Sequence, residues 1–522
     1  MKSKAGYFIV SIADMLFLSL LLYIFCVHGR KLLSDCDTGY HIRAGEYILK
    51  TFSIPRHDIF SFHTPPIPWT AHEWLSEVIM AVVNHFAGLT GVVAFFSFVI
   101  ALVYYVMFRV VRSYKGNIFL AVIFVMLAVI SSQIHWLARP HMFSMLLMVI
   151  WYCLLDEYQN GRKDRLYLLP PIMLLWVNLH GGYLGGFILL FIYSLGNLLQ
   201  FAALRDERGK AHMEKFKKLA LITFLCLLAS LANPYGFHIL LFPFNLVSNR
   251  FIMDHVVEFM SVNFHDGLVF EYVLLLMIAI FAVSRKRLNV IEIMLVVLFT
   301  HMALFSVRYI PLFAIVTTPI LVRQADSVFA EASCGFVTFL KRKAEGIASI
   351  DASARGILWP VLGISAIVFL VSSGRLSYYF DPKVKPIAAV EFLKREPVHG
   401  NPFNDDEFGD YMIYALWPNY KVFFDGRSDM YGTARMKDYY KIVSLKPDWE
   451  KILEKYKITW IMYDTGSPLS RYLMERKDWK LIYEDKVADI FVKNIPEYKS
   501  LIEKYPQVKL VPSEDDNQKH DE

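Results

Sequence analysis

Residues 35–75 read DCDTGYHIRAGEYILKTFSIPRHDIFSFHTPPIPWTAHEWL. The stretch is crowded with acids, histidines and tryptophans, and it lies between two long apolar runs, near residues 7–28 and 90–108. Asp35 and Asp37 stand one residue apart just beyond the first run. A carboxylate at the edge of a bilayer is costly unless it meets a cation, water or a reaction, so an acidic pair there marks a candidate site. The rest of the chain agrees with a lipid solvent. Of 522 residues, 56% are hydrophobic and only 20% charged, too little charge for a soluble chain of this size. The composition therefore predicts a polytopic α-helical membrane protein.

Apolar runs long enough for about 30 Å of hydrocarbon give roughly eleven candidate transmembrane helices. They lie near residues 7–28, 90–108, 117–135, 141–155, 166–179, 183–203, 219–234, 268–283, 289–304, 308–322 and 356–373. Leu75–Phe86, interrupted by Glu77, Asn84 and His85, fits an interfacial amphipathic helix better than a span. Alternate connections are basic: Lys2 and Lys4; Arg109, Arg112 and Lys115; Arg162, Lys163 and Arg165; Arg205 to Lys218; Arg285 to Arg287; Lys341 to Lys343. Cations mark the cytoplasmic side, so the N-terminus is expected inside and both the acidic loop and the C-terminal region outside. The loop's own Arg30, Lys31, Arg43, Lys50 and Arg56 run against the rule, but long loops cross regardless of charge. The first span is too long for a removed signal peptide and reads as a retained anchor. Of five cysteines only Cys36 falls on the outer side, too few for a disulfide framework. The net charge of +6 resides mainly in the inner loops and calls for no nucleic-acid partner.

Near residue 380 the composition changes to that of a soluble module. Expected helices at Pro386–Arg395, Glu407–Ala415 and Trp449–Tyr456 and after Pro468 alternate with strands near Pro402, Lys421–Phe424, Thr459–Tyr463, Lys480–Tyr483 and Ala488–Val492. That alternation predicts a C-terminal soluble α/β domain. The expected organisation is thus a transmembrane domain over 1–375 carrying an outer loop at 30–90, an extracytoplasmic α/β domain over 380–510, and a disordered tail over 511–522.

Asp35 and Asp37 fit a general base with its partner, a pair of oxygen ligands for a divalent cation such as Mg or Mn, or simply a helix cap at a solvated loop. His41, Arg43, Asp58, His63, His72 and Glu73 add groups that can hold phosphate, metal or a hydroxyl, and Trp69 and Trp74 can stack on a sugar or anchor at the interface. Each histidine taken alone is more often an ordinary surface residue. The short outer turns repeat the same chemistry: Arg139, Pro140 and His141; Asn178, His180, Gly181 and Gly182; Asn233, Pro234 and Tyr235; His301, Arg308 and Tyr309. Pro and Gly turn chains and Arg snorkels, so each turn has a structural reading. Together they would line a cavity whose cations grip a lipid-linked phosphate. A second polar cluster, Asp405, Asp406, Glu407, Asp410, Asp425, Arg427 and Asp429, lies in the C-terminal domain and reads either as an acceptor-selecting site or as a turn held by an acid–arginine pair.

The arrangement resembles the GT-C superfamily of integral-membrane glycosyltransferases, with an acidic motif in the first outer loop, an interfacial helix after it and a C-terminal soluble domain. It is similar, more closely, to a set of bacterial membrane proteins grouped with that superfamily, which share DxDTGYHIRxG (35–45), HEWL (72–75), RPHMFS (139–144), NLHGG (178–182), NPYG (233–236) and FFDGRSDMYG (423–432). The resemblance implies inverting transfer of a sugar from a polyprenyl-phosphate donor to a glycan, lipid or protein acceptor. It makes Asp37 the base, with Asp35 assisting or holding a metal. Arg139, His141, His180, Arg308 and Tyr309 would bind the donor phosphate, and His41, Arg43, Asp58, Trp69, His72, Glu73 and Asn178 the substrates. No cofactor is required by the residues, and a divalent cation stays open. Two rival readings are a GT-C-like scaffold without chemistry and a transporter or flippase of lipid-linked sugars; the latter fits poorly with polar groups gathered at one face and no inverted repeat.

Overall fold

The structure, a computed structural model, describes residues 4–204 and 206–506. Lys2, Arg205 and the expected tail 511–522 lie outside the described residues. The chain forms two compact units. The first comprises residues 1–32 and 72–378, and the second residues 33–71 and 379–522. The acidic loop is thereby divided: Asp35 to Ala71 belong to the second unit and His72 onward to the first.

The first unit is helical. Each of the eleven apolar runs coincides with a helix, but length and apolarity single out five candidate spans: Ile12–Leu33, Trp74–Arg112, Ile118–His135, Gly181–Ala203 and Val307–Glu331. Five shorter apolar helices join them: Leu166–Leu179, His238–Ser248, Val269–Val283, Val290–Phe305 and Leu358–Ser372. The expectation of about eleven spans is therefore narrowed, because His141–Gln159 carries Asp156 and Glu157 and Glu207–Ser230 opens on a strongly charged turn. The first span starts on a capping box, in which Ser11 accepts from Asp14 N and Asp14 returns the bond to Ser11 N. The segment expected as a separate interfacial helix is joined to the following span in one run, Trp74–Arg112, broken in conformation only at Gly88 (φ 60°, ψ −166°). Such a dihedral pair is essentially restricted to glycine, so this residue sets the break. Phe191, Phe244, Ile278, Val297 and Val368 are exposed along these helices, as lipid-facing side chains must be.

In the second unit, the C-terminal residues build a four-stranded sheet from β1 (Asn401–Asn404), β2 (Ile458–Asp464), β3 (Trp479–Glu484) and β4 (Ala488–Lys493), in the order β1-β2-β4-β3. β1 and β2 are parallel, and the other pairs antiparallel. Helices Asp406–Leu416, Ser428–Val443 and Trp449–Lys455 form the crossover that a parallel pair requires. The strand expected at Lys421–Phe424 does not form. Val422 makes a single bridge to Ser61, and the Phe423 N–H donates to the Asn404 side chain, so no ladder extends. Helix Ser428–Val443, which interrupts itself at Gly432 (φ 68°), was not legible in its polar sequence. Leu33–Ala71 joins this unit through helix Asp37–Thr51, which packs on helix Asp406–Leu416. Gly39 sits at that crossing, where an added Cβ would lie 2.7 Å from the Tyr414 side chain.

Candidate functional site

Two clusters hold the candidate residues, one in each unit. The first unit brings together His72, Glu73, Arg139, His141, Asn178, His180, Arg308 and Tyr309, and the second brings together Asp35, Asp37, His41, Arg43, Asp58 and Trp69.

In the first unit, a cavity of about 230 Å³ is lined by His72, His135, His141, His180, Arg308 and Tyr309, with apolar walls from Met145, Phe242 and Phe299. Its shape depends on interlocked turns. Asn178 Oδ1 accepts from Trp74 Nε1 (2.9 Å) and from Asn233 Nδ2 (3.2 Å), and Ser76 Oγ donates to Leu179 O (2.6 Å). Asn178 thus ties its own turn to that of Asn233 and to the start of helix Trp74–Arg112; it is a structural tie. Trp74, offered as an interfacial anchor, contributes its indole N–H to the same tie. His180 breaks the preceding helix with extended backbone, and Gly182 follows it so closely that a Cβ there would lie 2.4 Å from Ser144 Oγ. The Gly182 N–H donates to His180 Nδ1 (2.8 Å), so that nitrogen is the unprotonated one and Nε2 carries the hydrogen, 3.4 Å from Glu73 Oε1. Burial, then Arg308, hold the His180 imidazole well below its usual range and keep it neutral. His141 Nε2 contacts His135 O (2.9 Å), and the two rings lie 4.3 Å apart.

Arg139 and Arg308 share a partner the sequence did not reveal. Arg139 Nη1 lies 2.6 Å from Glu258 Oε1, and Arg308 Nη1 lies 3.4 Å from Glu258 Oε2. Burial alone would raise the Glu258 carboxyl, but the two guanidiniums prevail and hold it down to about 2. Glu258 sits in VVEFM, an apolar stretch with no polar companions, and its partners are far away in sequence.

In the second unit the order is reversed. Asp37 opens helix Asp37–Thr51 and is buried, and Asp35 Oδ1 accepts from Asp37 N (2.8 Å), so Asp35 acts as a helix-end acceptor. Asp410 hydrogen-bonds to Asp37 and accepts from Gly426 N (3.2 Å to each oxygen). An added Cβ on Gly426 would lie 2.1 Å from Asp37 Oδ1 and 3.0 Å from Asp410 Oδ2, so the carboxyls converge where only glycine fits. Burial, then Asp37, Asp425 and Asp35, push the Asp410 carboxyl well up, so Asp410 holds the proton of this pair. Lys385, buried and paired with Glu407, is the cation nearby.

Beside it, Arg427 is clamped between Asp425 (Nη2 to Oδ2, 2.6 Å) and Asp58 (Nη2 to Oδ1, 2.8 Å), with Tyr431 Oη donating to Asp425 (2.7 Å). Its guanidinium lies 4.9 Å from the Phe60 ring and 4.7 Å from the Trp69 ring. Asp58 and Trp69, expected to bind substrate, are instead buried supports of Arg427. Arg43 donates to Tyr414 O (2.7 Å) and Glu46 (2.6 Å) and anchors its helix, while His41 is buried against the Tyr40 ring. His63 Nε2 contacts Phe423 O (2.8 Å) among aromatic rings. Of the C-terminal acids, Asp405 caps helix Asp406–Leu416. Among the described residues no three of His, Cys, Asp and Glu are grouped so as to hold a metal ion. The chemistry proposed below is written through the residues themselves.

No family profile and no curated protein matches the chain. Among solved structures it is similar to the archaeal oligosaccharyltransferase AglB from Archaeoglobus fulgidus, solved with an inhibitory peptide and a dolichol-phosphate, at TM-score 0.55 and 11% identity over 93% of this chain and 74% of that one. It also matches ArnT from Cupriavidus metallidurans, solved with undecaprenyl phosphate, at TM-score 0.48 and 12% identity over 95% of this chain and 99% of that one. The AglB match shows that this chain shares the fold of that protein.

Proposed function

We propose that the protein is an inverting membrane glycosyltransferase that moves a sugar from a polyprenyl-phosphate donor to an acceptor hydroxyl on the extracytoplasmic side. The observation that supports this most is the convergence of Arg139 and Arg308 on Glu258 in the first unit, with Arg308 lining an apolar-walled cavity, a setting suited to a phosphate on a lipid tail. That AglB was solved with a dolichol-phosphate accords with such a ligand.

By this reading Arg139 and Arg308 bind the donor phosphate, with the neutral His180 offering Nε2–H and Tyr309 its hydroxyl. In the second unit Asp37 accepts the acceptor's hydroxyl proton as the oxygen attacks the anomeric carbon. The new C–O bond forms on the face opposite the phosphate, the old C–O bond breaks, and polyprenyl phosphate leaves with the bonding electrons. The arginines stabilise the charge that develops on it. Asp35 fixes the start of the helix that carries Asp37 and stands outside the proton transfer.

One observation favours the scaffold reading: Asp37 is only 6% exposed and already hydrogen-bonded to Asp410. Mass spectrometry of lipids and glycans from cells with the gene deleted, restored, and restored as Asp37→Asn separates the two. Accumulation of one polyprenyl-phosphate sugar with loss of one glycan, reversed by the unaltered protein and not by the variant, is expected. Full reversal by Asp37→Asn would establish the scaffold.

A further inference from the structure

At the other end of the first unit lies a second cavity, of about 940 Å³, lined by Arg109, Arg112, Arg162, Lys163, Arg165 and Arg355. Helix polarity puts it opposite the histidine cavity. His72 precedes and Arg112 ends the run Trp74–Arg112, while His141 opens and Arg162 follows the helix His141–Gln159. The cations come from three places far apart in sequence: the last turn of one span, the connection after His141–Gln159, and the turn before helix Leu358–Ser372.

Three of the six are already engaged. Arg112 donates to Gly116 O, Arg162 pairs with Asp156, and Arg165 with Glu157. Two other acids at the cavity, Asp351 and Asp14, are directed at the start of the first span, where Asp351 Oδ1 accepts from Ile12 N (2.7 Å) and Asp14 Oδ2 from Ser11 N (3.2 Å); with Glu157 they make three lining acids against six lining cations. Among the described residues, Arg109, Lys163 and Arg355 have no side-chain hydrogen bond or ion pair in the structure. Three unmatched cations thus border one volume. Apolar side chains lie alongside them: Tyr105, Val106 and Ile357 line the same cavity, and Ile357 is 68% exposed next to Arg355. A cationic recess with an apolar rim matches a phosphate that carries acyl chains better than a soluble anion.

We infer that this cavity binds the phosphate headgroup of an anionic phospholipid, through Arg109, Lys163 and Arg355. The inference is independent of the proposed transfer reaction. It differs from the general bias of basic loops toward the inner side, which needs positive charge but no converging site.

The full chain, purified in detergent and stripped of lipid, is titrated with phosphatidylglycerol, with phosphatidylethanolamine and with inorganic phosphate, and bound lipid is read by native mass spectrometry. Phosphatidylglycerol is expected to bind in preference to phosphatidylethanolamine, and the Arg109→Gln, Lys163→Gln, Arg355→Gln triple variant is expected to lose about a hundredfold in apparent affinity. Each single variant should lose several-fold, which keeps the test decisive if the triple variant fails to fold. Equal binding of both phospholipids, or undiminished binding by the variants, would overturn the site. Displacement of phosphatidylglycerol by millimolar inorganic phosphate would overturn the lipid assignment.

Discussion

The two units handle buried charge in opposite ways. In the first, Arg139 and Arg308 share the single carboxylate of Glu258. In the second, Asp58 and Asp425 share the single guanidinium of Arg427, with Asp37 and Asp410 close by and sharing one proton. Two guanidiniums converging on one carboxylate suit an arriving phosphate; carboxyls converging on one guanidinium suit an arriving proton. The same ion-pair chemistry thus prepares different work according to which group does the converging, and the contrast ranks the experiments.

The largest effect is expected at the proposed base. Asp37→Asn keeps the shape and removes the proton acceptor, and should slow sugar transfer by about 10²–10⁴-fold, measured with purified protein and a polyprenyl-phosphate sugar. An unchanged rate would leave the acid surplus of the second unit without a catalytic purpose. Next comes Arg427→Met, which leaves Asp58 and Asp425 buried and uncompensated. A loss of about 3–5 kcal/mol is expected in the unfolding of the second unit, read by thermal denaturation with limited proteolysis to locate the melting unit. A loss below about 1 kcal/mol would show that water reaches these carboxylates and that the unit is not organised around this guanidinium.

A third test uses a carboxyl with no cation at all. Asp489 in β4 is buried, and burial followed by Glu484 pushes its carboxyl up to about 7, with Thr465 Oγ1 donating to it (2.8 Å). In the unfolded chain it titrates near 3.9. Between roughly pH 4 and 7 the folded state therefore holds a proton that the unfolded state has released, so stability falls as pH rises through that window and the penalty is complete above it. Asp489→Asn should flatten the slope of melting temperature against pH there and be more stable than the unaltered protein at pH 8, by about 2 kcal/mol. Asp58 behaves oppositely: burial works against its charge, but Arg427 lowers its carboxyl overall, so its contribution is lost only as pH falls below the ordinary carboxylate range. An identical slope in the variant would place the proton on another group.

Much of this architecture was readable in the chain, for identifiable reasons. Long apolar runs report helices directly, and all eleven coincide with one; how many of them cross is harder to read, because charge at an end, as in Glu207–Ser230, does not disturb the apolar period. The turns at 139–141, 178–182 and 308–309 were legible as polar groups at one face, and Arg308, His141 and His180 do line one cavity. Their roles were not. Asn178 is engaged by Trp74 and Asn233, and Trp69 by Arg427, partners that only tertiary structure brings near. Asp410 was seen only as one of a run of acids, since its pairing with Asp37 crosses most of the chain. Glu258 gave no signal, because an acid flanked by valine and phenylalanine is marked only by the arginines it meets.

That acid provides the smallest test and the one that reaches furthest into the comparison. A carboxylate between two guanidiniums has the charge and the acceptor geometry of part of a phosphate, so on the proposed function Glu258 competes with the donor phosphate for Arg139 and Arg308. With its carboxyl held down to about 2, it stays charged through the whole physiological range, and the competition does not switch with pH. Glu258→Gln removes the charge while keeping the shape, and is expected to tighten polyprenyl-phosphate binding by about threefold to tenfold, read by titration in detergent. The gain is modest because the amide still hydrogen-bonds to Arg139, and Arg308 also packs on the Phe259 ring (5.2 Å). Weaker binding in the variant would mean that Glu258 positions the arginines for the phosphate. The converging arginines would then be a platform the acid builds, and the acid would hold no place for the ligand.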